Sequence, residues 1–146
     1  MEDEKIAALV AALRPTITRL IRKLRKVTPD KHHLSQSERA VLVLLDQNGS
    51  MLASELAVLE QITPQSMGTL LKHLLSLGFI TKTTSETDKR KLYITISAQG
   101  KKTLQDFRKE REDWLKKAIA AVCTDKEQTL LLKAMEPLNK LIDYNN

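Results

Sequence analysis

The sequence predicts a mainly α-helical fold with a small β-hairpin, and three observations carry that expectation. Only four Gly and four Pro occur in 146 residues, too few for the many tight turns of a sandwich or barrel. Leu, Ala, Lys and Glu, all good helix formers, dominate instead. Apolar residues recur at three- and four-residue steps everywhere except in one stretch, where the period changes to two. With 42% hydrophobic residues the chain can bury one real core, and a single domain over 1–146 is expected.

Ile6, Leu9, Val10, Leu13, Ile17, Leu20, Ile21 and Leu24 fall at helical steps, so 4–26 reads as one amphipathic helix that Pro15 bends or restarts. Its stripe runs over about six turns and calls for a partner helix. Ser35-Gln36-Ser37-Glu38 has capping-box spacing, in which the serine oxygen takes a first-turn amide and the glutamate reaches back. The helix it opens has Ala40, Val41, Leu44 and Leu45 as its core face and ends in the turn residues Gln47-Asn48-Gly49-Ser50. A short helix follows near Ala53 to Glu60. Thr63-Pro64, a cap followed by proline at the first helical position, opens a helix to Leu77 with Met67, Leu70, Leu71 and Leu74 on one face and a stop at Gly78.

Beyond Gly78 the period becomes two. Ile80 starts one strand, Leu92, Ile94 and Ile96 alternate with Tyr93 and Thr95 in another, and polar Thr84 to Lys91 forms a charged tip between them. Ser97 then caps a long helix carrying Leu104, Phe107, Trp114, Leu115 and Val122. Thr124-Asp125-Lys126-Glu127 is a second capping box, opening a last helix that Pro137 should kink, with Leu130, Leu131, Met135, Leu138 and Ile142 on its buried face.

Several function classes fall away. No apolar stretch exceeds the eight residues Ile6 to Leu13, against the ~20 that span a bilayer, and the chain opens with acidic Met1-Glu2-Asp3-Glu4. Neither a transmembrane helix nor a signal peptide is expected. One cysteine, Cys123, makes no internal disulfide and no thiolate zinc site, which points to the cytoplasm. It reads as a small packed residue rather than a redox sensor.

Glycine stands only at 49, 68, 78 and 100, so no phosphate-cradling or dinucleotide loop can be written, and no His-Glu-x-x-His helix exists. Glu112 and Asp113 are neighbours and point apart on a helix. No enzyme and no cofactor is expected. His32 and His33 cannot easily close on one ion without further ligands, so they read as a solvated or pocket-lining pair and not a metal site. The basic run Arg19, Arg22, Lys23, Arg25 and Lys26 reads as a solvated or DNA-flanking face rather than a membrane-surface one.

Charge is unevenly placed: +4 over 1–33, −3 over 34–61, +5 over 62–102 and zero beyond. The +5 segment suits a polyanion, because Lys and Arg gain by replacing phosphate counterions. In the same region a helix, a short turn, a second capped helix and a hairpin with a basic tip follow one another. That order is a helix-turn-helix with a wing, whose second helix enters the major groove.

If Met67, Leu70, Leu71 and Leu74 face the core, the opposite face presents Gln65, Gly68, Thr69 and Lys72, flanked by Ser66 and His73. Gln65 is the base-reading candidate, since its amide can pair with adenine N6 and N7, while Ser66, Thr69 and Lys72 suit phosphates. The rival reading is a winged module that binds another protein. Asp88 and Arg90 together with Lys72, Lys82, Lys89 and Lys91 on one side weigh towards double-stranded DNA. Only 3% aromatic residues weighs against base-stacking single-strand binders.

In order and spacing, Ser54-Glu55-Leu56-Ala57, Ile62-Thr63-Pro64-Gln65-Ser66, Leu77-Gly78-Phe79-Ile80, Asp88-Lys89-Arg90-Lys91 and Ile96-Ser97-Ala98-Gln99-Gly100 resemble the DNA-binding core of the MarR family of bacterial winged-helix regulators. The most specific element is the Asp-x-Arg of the wing. The resemblance implies that Asp88 holds Arg90, which enters the minor groove, and that Lys82, Lys89 and Lys91 add backbone contacts. A narrow minor groove concentrates negative potential, which is consistent with that role. It also implies that Thr63 and Pro64 belong to the DNA-binding surface, that 34–97 is the winged unit, and that 1–33 and 98–146 form dimerisation helices. A two-fold homodimer would read a palindrome with half-sites about one helical turn apart. By the same resemblance the protein is a repressor released by a small aromatic or anionic effector in a cleft lined by Leu13, Ile17, His33, Val41 and Phe107. Two departures from the family pattern stand out: Ile96-Ser97 where Leu-Thr is common, and no cysteine in the first helix, where peroxide-sensing members carry one.

Overall fold

Side-chain caps decide where the helices begin. Ser35 Oγ accepts the Glu38 N–H at 3.1 Å while Glu38 Oε1 accepts the Ser35 N–H at 2.9 Å. Thr124 and Glu127 repeat that reciprocal box at 3.2 and 2.8 Å, and Thr63 Oγ1 accepts the Ser66 N–H at 3.0 Å with Pro64 at the first helical position. A computed structural model describes residues 1–29 and 31–145. Its elements are α1 (Glu2–Val27), α2 (Gln36–Asn48), β1 (Met51–Leu52), α3 (Ala53–Glu60), α4 (Pro64–Ser76), β2 (Ile80–Thr84), β3 (Leu92–Ile96), α5 (Ala98–Val122) and α6 (Asp125–Ile142). Pro15 and Pro137 lie inside α1 and α6 and end neither.

The chain groups into two units. Thr28–Lys109 is one; Met1–Val27 and the chain from Glu110 onward form the other. The first carries every buried apolar side chain, from Leu34 through Val41, Leu42, Leu45, Leu56, Met67, Leu71, Leu74 and Phe79 to Leu104 and Phe107. Its boundaries fall at 27/28 and 109/110 because Leu34 and the first turns of α5 pack into this core. Burying each such side chain contributes about 1.5–3 kcal/mol, so this unit holds itself together.

The buried face of α2 is Glu38, Val41, Leu42 and Leu45, not the expected Ala40, Val41, Leu44 and Leu45. Ala40 and Leu44 are half-buried at its edge. The shift arises because Leu42 is wholly buried in the core and the capping Glu38 pairs with His73 on α4, which fixes the rotation of α2. On α4, Met67, Leu71 and Leu74 are buried and Leu70 is half-buried.

The sheet has order β1-β3-β2, antiparallel throughout, with Ile80 opposite Ile96 and Thr84 opposite Leu92 in the hairpin. β1 was not anticipated. It pairs Met51 with Ile94 and Leu52 with Tyr93, and two residues are too few to display a period of two.

A tight corner joins the hairpin to α5. The Ser97 N–H donates to the Phe79 carbonyl at 2.9 Å, and the Gly100 N–H donates to Ser97 Oγ at 3.0 Å. A Cβ on Gly100 would lie 2.2 Å from the Phe79 carbonyl oxygen, so α5 approaches the start of β2 as closely as backbone permits. Gly78, at φ +77, supplies the left-handed turn that releases the chain from α4 into β2.

The helical unit differs in kind. Neither α1 nor α6 has a buried side chain, and the part of α5 from Glu110 to Val122 has none either. Leu130, Leu131, Met135 and Ile142, expected on a buried face, are exposed, and Leu138 is half-buried. Among the described residues, nothing encloses them: Leu131 and Met135 keep 45% and 44% of their surface in solvent, and Leu130 and Ile142 keep 68% and 77%. Cys123 is half-buried rather than packed away, just past the end of α5. Among the described residues no helix is long and apolar enough to cross a membrane.

The Gly100 contact can be tested directly. Gly100→Ala should lower the stability of the protein by about 1–3 kcal/mol, because the obstructing atom is backbone and cannot rotate away. Lys101→Ala, at an exposed neighbour, should change it by less than about 0.5 kcal/mol. Urea unfolding followed by circular dichroism reads both.

Candidate nucleic-acid interface

The outward face of α4 is assembled by its cap. Thr63 takes the first-turn amide, and its hydroxyl donates to Ser66 Oγ at 3.0 Å, so these two hydroxyls fix each other at the helix start. Gln65, Ser66, Gly68, Thr69, Lys72 and His73 are all exposed on the side away from Met67, Leu71 and Leu74. Thr69 Oγ1 donates to the Gln65 carbonyl at 3.3 Å, and among the described residues neither the Gln65 side-chain amide nor the Lys72 ammonium is drawn into an intramolecular bond. Gly68 has open space where a Cβ would stand, leaving a bare stretch of helix between Gln65 and Thr69.

The wing tip is held by short-range polar bonds. The Ser85 N–H donates to the Lys91 carbonyl and the Lys91 N–H to the Asp88 carbonyl, each at 3.0 Å. Asp88 Oδ1 accepts both the Arg90 N–H at 3.0 Å and Arg90 Nε at 3.2 Å. The Arg90 side chain is 92% exposed and Asp88 34%, so the carboxylate is the fixed partner and the guanidinium projects outward. Its Nη groups keep four N–H donors for another acceptor. Lys82 on β2 and Lys89 and Lys91 at the tip are exposed. The resemblance's picture of an Asp88 that holds Arg90 is thus present as geometry.

Two residues acquire contacts that sequence reasoning missed. Glu38 Oε2 pairs with His73 Nδ1, joining α2 to α4 through a carboxylate whose other oxygen serves the cap. His73 is therefore anchored, not a free flank of the helix. The capping box explained one glutamate oxygen, and the burial of Glu38 was the missing signal for the second. His32 sets its ring edge-on against Phe79, with centroids 5.0 Å apart and planes at 85°, so of the histidine pair one packs on a core residue. Among the described residues no group of three His, Cys, Asp or Glu is arranged to hold a metal ion.

The candidate effector residues separate. Val41 is fully enclosed and Phe107 is buried with the Arg39 guanidinium 4.7 Å over its ring, so both serve as core of the winged unit. His33, at φ 52, is exposed in the loop before α2. Leu13 and Ile17 belong to the helical unit, where with Val10, Arg14 and Thr18 they line a shallow cavity of about 290 Å³.

The MarR family model matches residues 34–92, the stretch that contains α2, the helix-turn-helix and the hairpin. An HTH-type transcriptional regulator of Mycobacterium leprae is 28% identical over 137 residues, 94% of each chain. Over that stretch the chain matches the helix-turn-helix domain of the MarR family, and the relative it resembles along its length is a transcriptional regulator. A Pseudomonas aeruginosa protein described as a transcriptional regulator superposes with a TM-score of 0.84 at 29% identity, over 97% of this chain and 99% of that one. A mutant of Staphylococcus aureus MepR, bound to an oligodeoxyribonucleotide, has the same fold at a TM-score of 0.68 and 15% identity, over 92% and 97% of the two chains. The MarR family comprises non-enzymatic DNA-binding proteins. In this chain the serine that departs from the usual threonine before α5 still caps, through the Gly100 N–H.

The wing geometry generates a prediction. Arg90→Ala should weaken binding of duplex DNA by about 1–3 kcal/mol while leaving the thermal unfolding midpoint in place. Fluorescence anisotropy and a melt, run on the same preparation, read the two quantities.

Proposed function

We propose that this MarR-family regulator binds a palindromic operator as a homodimer, represses from it in the cytoplasm, and is released by a small effector. The observation that carries the reading is that α4 and the wing, built on one core, turn an amide, hydroxyls, lysines and an aspartate-held arginine outward together. On this reading α4 lies in the major groove with Gln65 at a base edge, Ser66, Thr69 and Lys72 at phosphates, and Arg90 in the adjoining minor groove, with Lys82, Lys89 and Lys91 on the backbone. Thr63 and Pro64 set where α4 starts and so its depth. The oligodeoxyribonucleotide in the MepR relative supports DNA as the partner.

Dimerisation is supported by the helical unit. Ile6, Leu9 and Val10 on α1 and Leu130, Leu132 and Leu141 on α6 are exposed in one chain, more apolar surface than a small monomer usually leaves in water. A two-fold partner laying the same helices against them would bury it. An aromatic or anionic effector lowers affinity only if it favours a dimer whose two α4 helices are wrongly spaced for successive major grooves. That release step rests on the family resemblance.

The deciding experiment titrates the DNA upstream of the protein's own coding region, and unrelated DNA, at two salt concentrations. Tight binding to the upstream fragment alone, falling by ~10³ or more between about 50 and 200 mM salt, is the expected outcome. Absence of binding to either at low salt would favour a protein-binding module. On the selected site, Lys72→Ala should weaken all sequences alike and reduce the salt slope by about one, whereas Gln65→Ala should change the preferred sequence. Leu131→Asp should convert the dimer to monomer in sedimentation and, with it, abolish operator binding. A wild-type protein that sediments as a monomer would refute the assembly.

A further inference from the structure

The winged unit contains a cavity of about 340 Å³ lined by Ser35, Glu38, Ser66, Thr69, Leu70 and His73. Ser66 and Thr69 belong to the outward face of α4, so the cavity opens onto the surface assigned to DNA. Its inner wall is the Glu38–His73 pair. The glutamate side chain is 9% exposed and the histidine 47%, so the carboxylate is fixed within the protein while part of the imidazole faces solvent. Glu38 is the titratable group in contact with the ring, and the remaining lining residues carry no charge. Lys72, the preceding residue on α4, is exposed.

We propose that this cavity is a seat for a phosphodiester of the bound duplex, in which Glu38 is a positioning residue that makes the grip of His73 depend on a proton. The inference rests on the DNA-binding reading above. A carboxylate only accepts, so Nδ1 must carry a hydrogen to bond Glu38 Oε2. In the neutral ring Nε2 is then a bare acceptor, and with the glutamate charge the seat is net negative and repels phosphate. Protonation neutralises the pair and gives Nε2 a hydrogen to donate to a phosphate oxygen, beside the Ser66 and Thr69 hydroxyls. DNA binding therefore takes up a proton at His73 and strengthens as pH falls.

The test uses a duplex selected by the full-length protein from a random-sequence pool, with affinity measured at fixed ionic strength between about pH 8 and 5.5, the range in which imidazole changes charge. Wild-type affinity should rise by roughly tenfold across that range, the scale of one charge-assisted hydrogen bond. His73→Asn keeps a donor for Glu38 but has no second N–H, so it should lose the rise while its melting temperature holds. Glu38→Gln can still accept the Ser35 N–H and donates to Nδ1, which puts the neutral ring's hydrogen on Nε2. Its affinity at pH 8 should therefore exceed wild type and respond little to acid.

A merely structural tie would make Glu38→Gln weaker at every pH. That result, or a full acid response in His73→Asn, overturns the seat while leaving DNA binding intact. A protein that selects no duplex refutes the DNA reading and the seat with it.

Discussion

Phe79 is the contact on which the presentation of the DNA-facing elements depends. Its ring is fully buried, its N–H closes the end of α4 on the Leu74 carbonyl at 3.1 Å, and its carbonyl receives the Ser97 N–H at 2.9 Å. The ring of His32 meets it edge-on from the loop before α2. One residue thus ties the end of α4, the first wing strand, the start of α5 and the loop before α2. Because α5 touches its backbone at Gly100, where even a methyl group would collide, helix and wing cannot slide past each other without disturbing this corner. That rigidity is what the proposed two-point reading of DNA needs. A side chain in the major groove and another in the minor groove contribute together only if the distance between them is set before binding.

The two units divide the work along a thermodynamic line. The winged unit carries its own core and needs nothing else to hold α4 and the wing in place. Among the described residues, the helical unit carries long apolar stripes and no buried side chain, so its stability depends on what covers those stripes. Rearranging the core of the winged unit would cost far more than altering the helical one, since its leucines are enclosed.

What the sequence made legible was local. Caps, prolines and glycines act over three or four residues, and each of Ser35, Thr63, Ser97 and Thr124 marks a helix start where its spacing says. The wing's Asp88–Arg90 contact spans two residues and was equally readable. What escaped was set by tertiary neighbours. β1 exists only because β3 lies beside it; α2 turned Leu42 rather than Leu44 inward because α4 and the capping Glu38 fix its rotation. The placing of Val41 and Phe107 at an effector cleft came from the family resemblance; in the structure both side chains pack in the core of the winged unit. The Glu38–His73 bond joins residues thirty-five apart, and no local pattern announces it. For α6 the periodicity correctly marked an apolar face, but a stripe cannot say from which chain its cover comes.

If the wing reads DNA as proposed, its ion pair shows why an exposed pair belongs there at all. With Arg90 almost wholly in water, its bond to Asp88 contributes no more than about 1 kcal/mol to folding and is weakened by salt. Stability is therefore a poor reason for it. Orientation is a better one, because a free arginine must give up several rotamers on entering a groove, and Asp88 removes part of that cost by holding Nε and the Arg90 backbone N–H from one oxygen. The carboxylate oxygen engages Nε, so on the proposed reading the Nη groups are left for the duplex. An aspartate beside a polyanion would ordinarily weaken binding. Here its charge is already engaged by the cation it orients, and Lys82, Lys89, Arg90 and Lys91 outnumber Glu86 and Asp88, so the wing stays net positive.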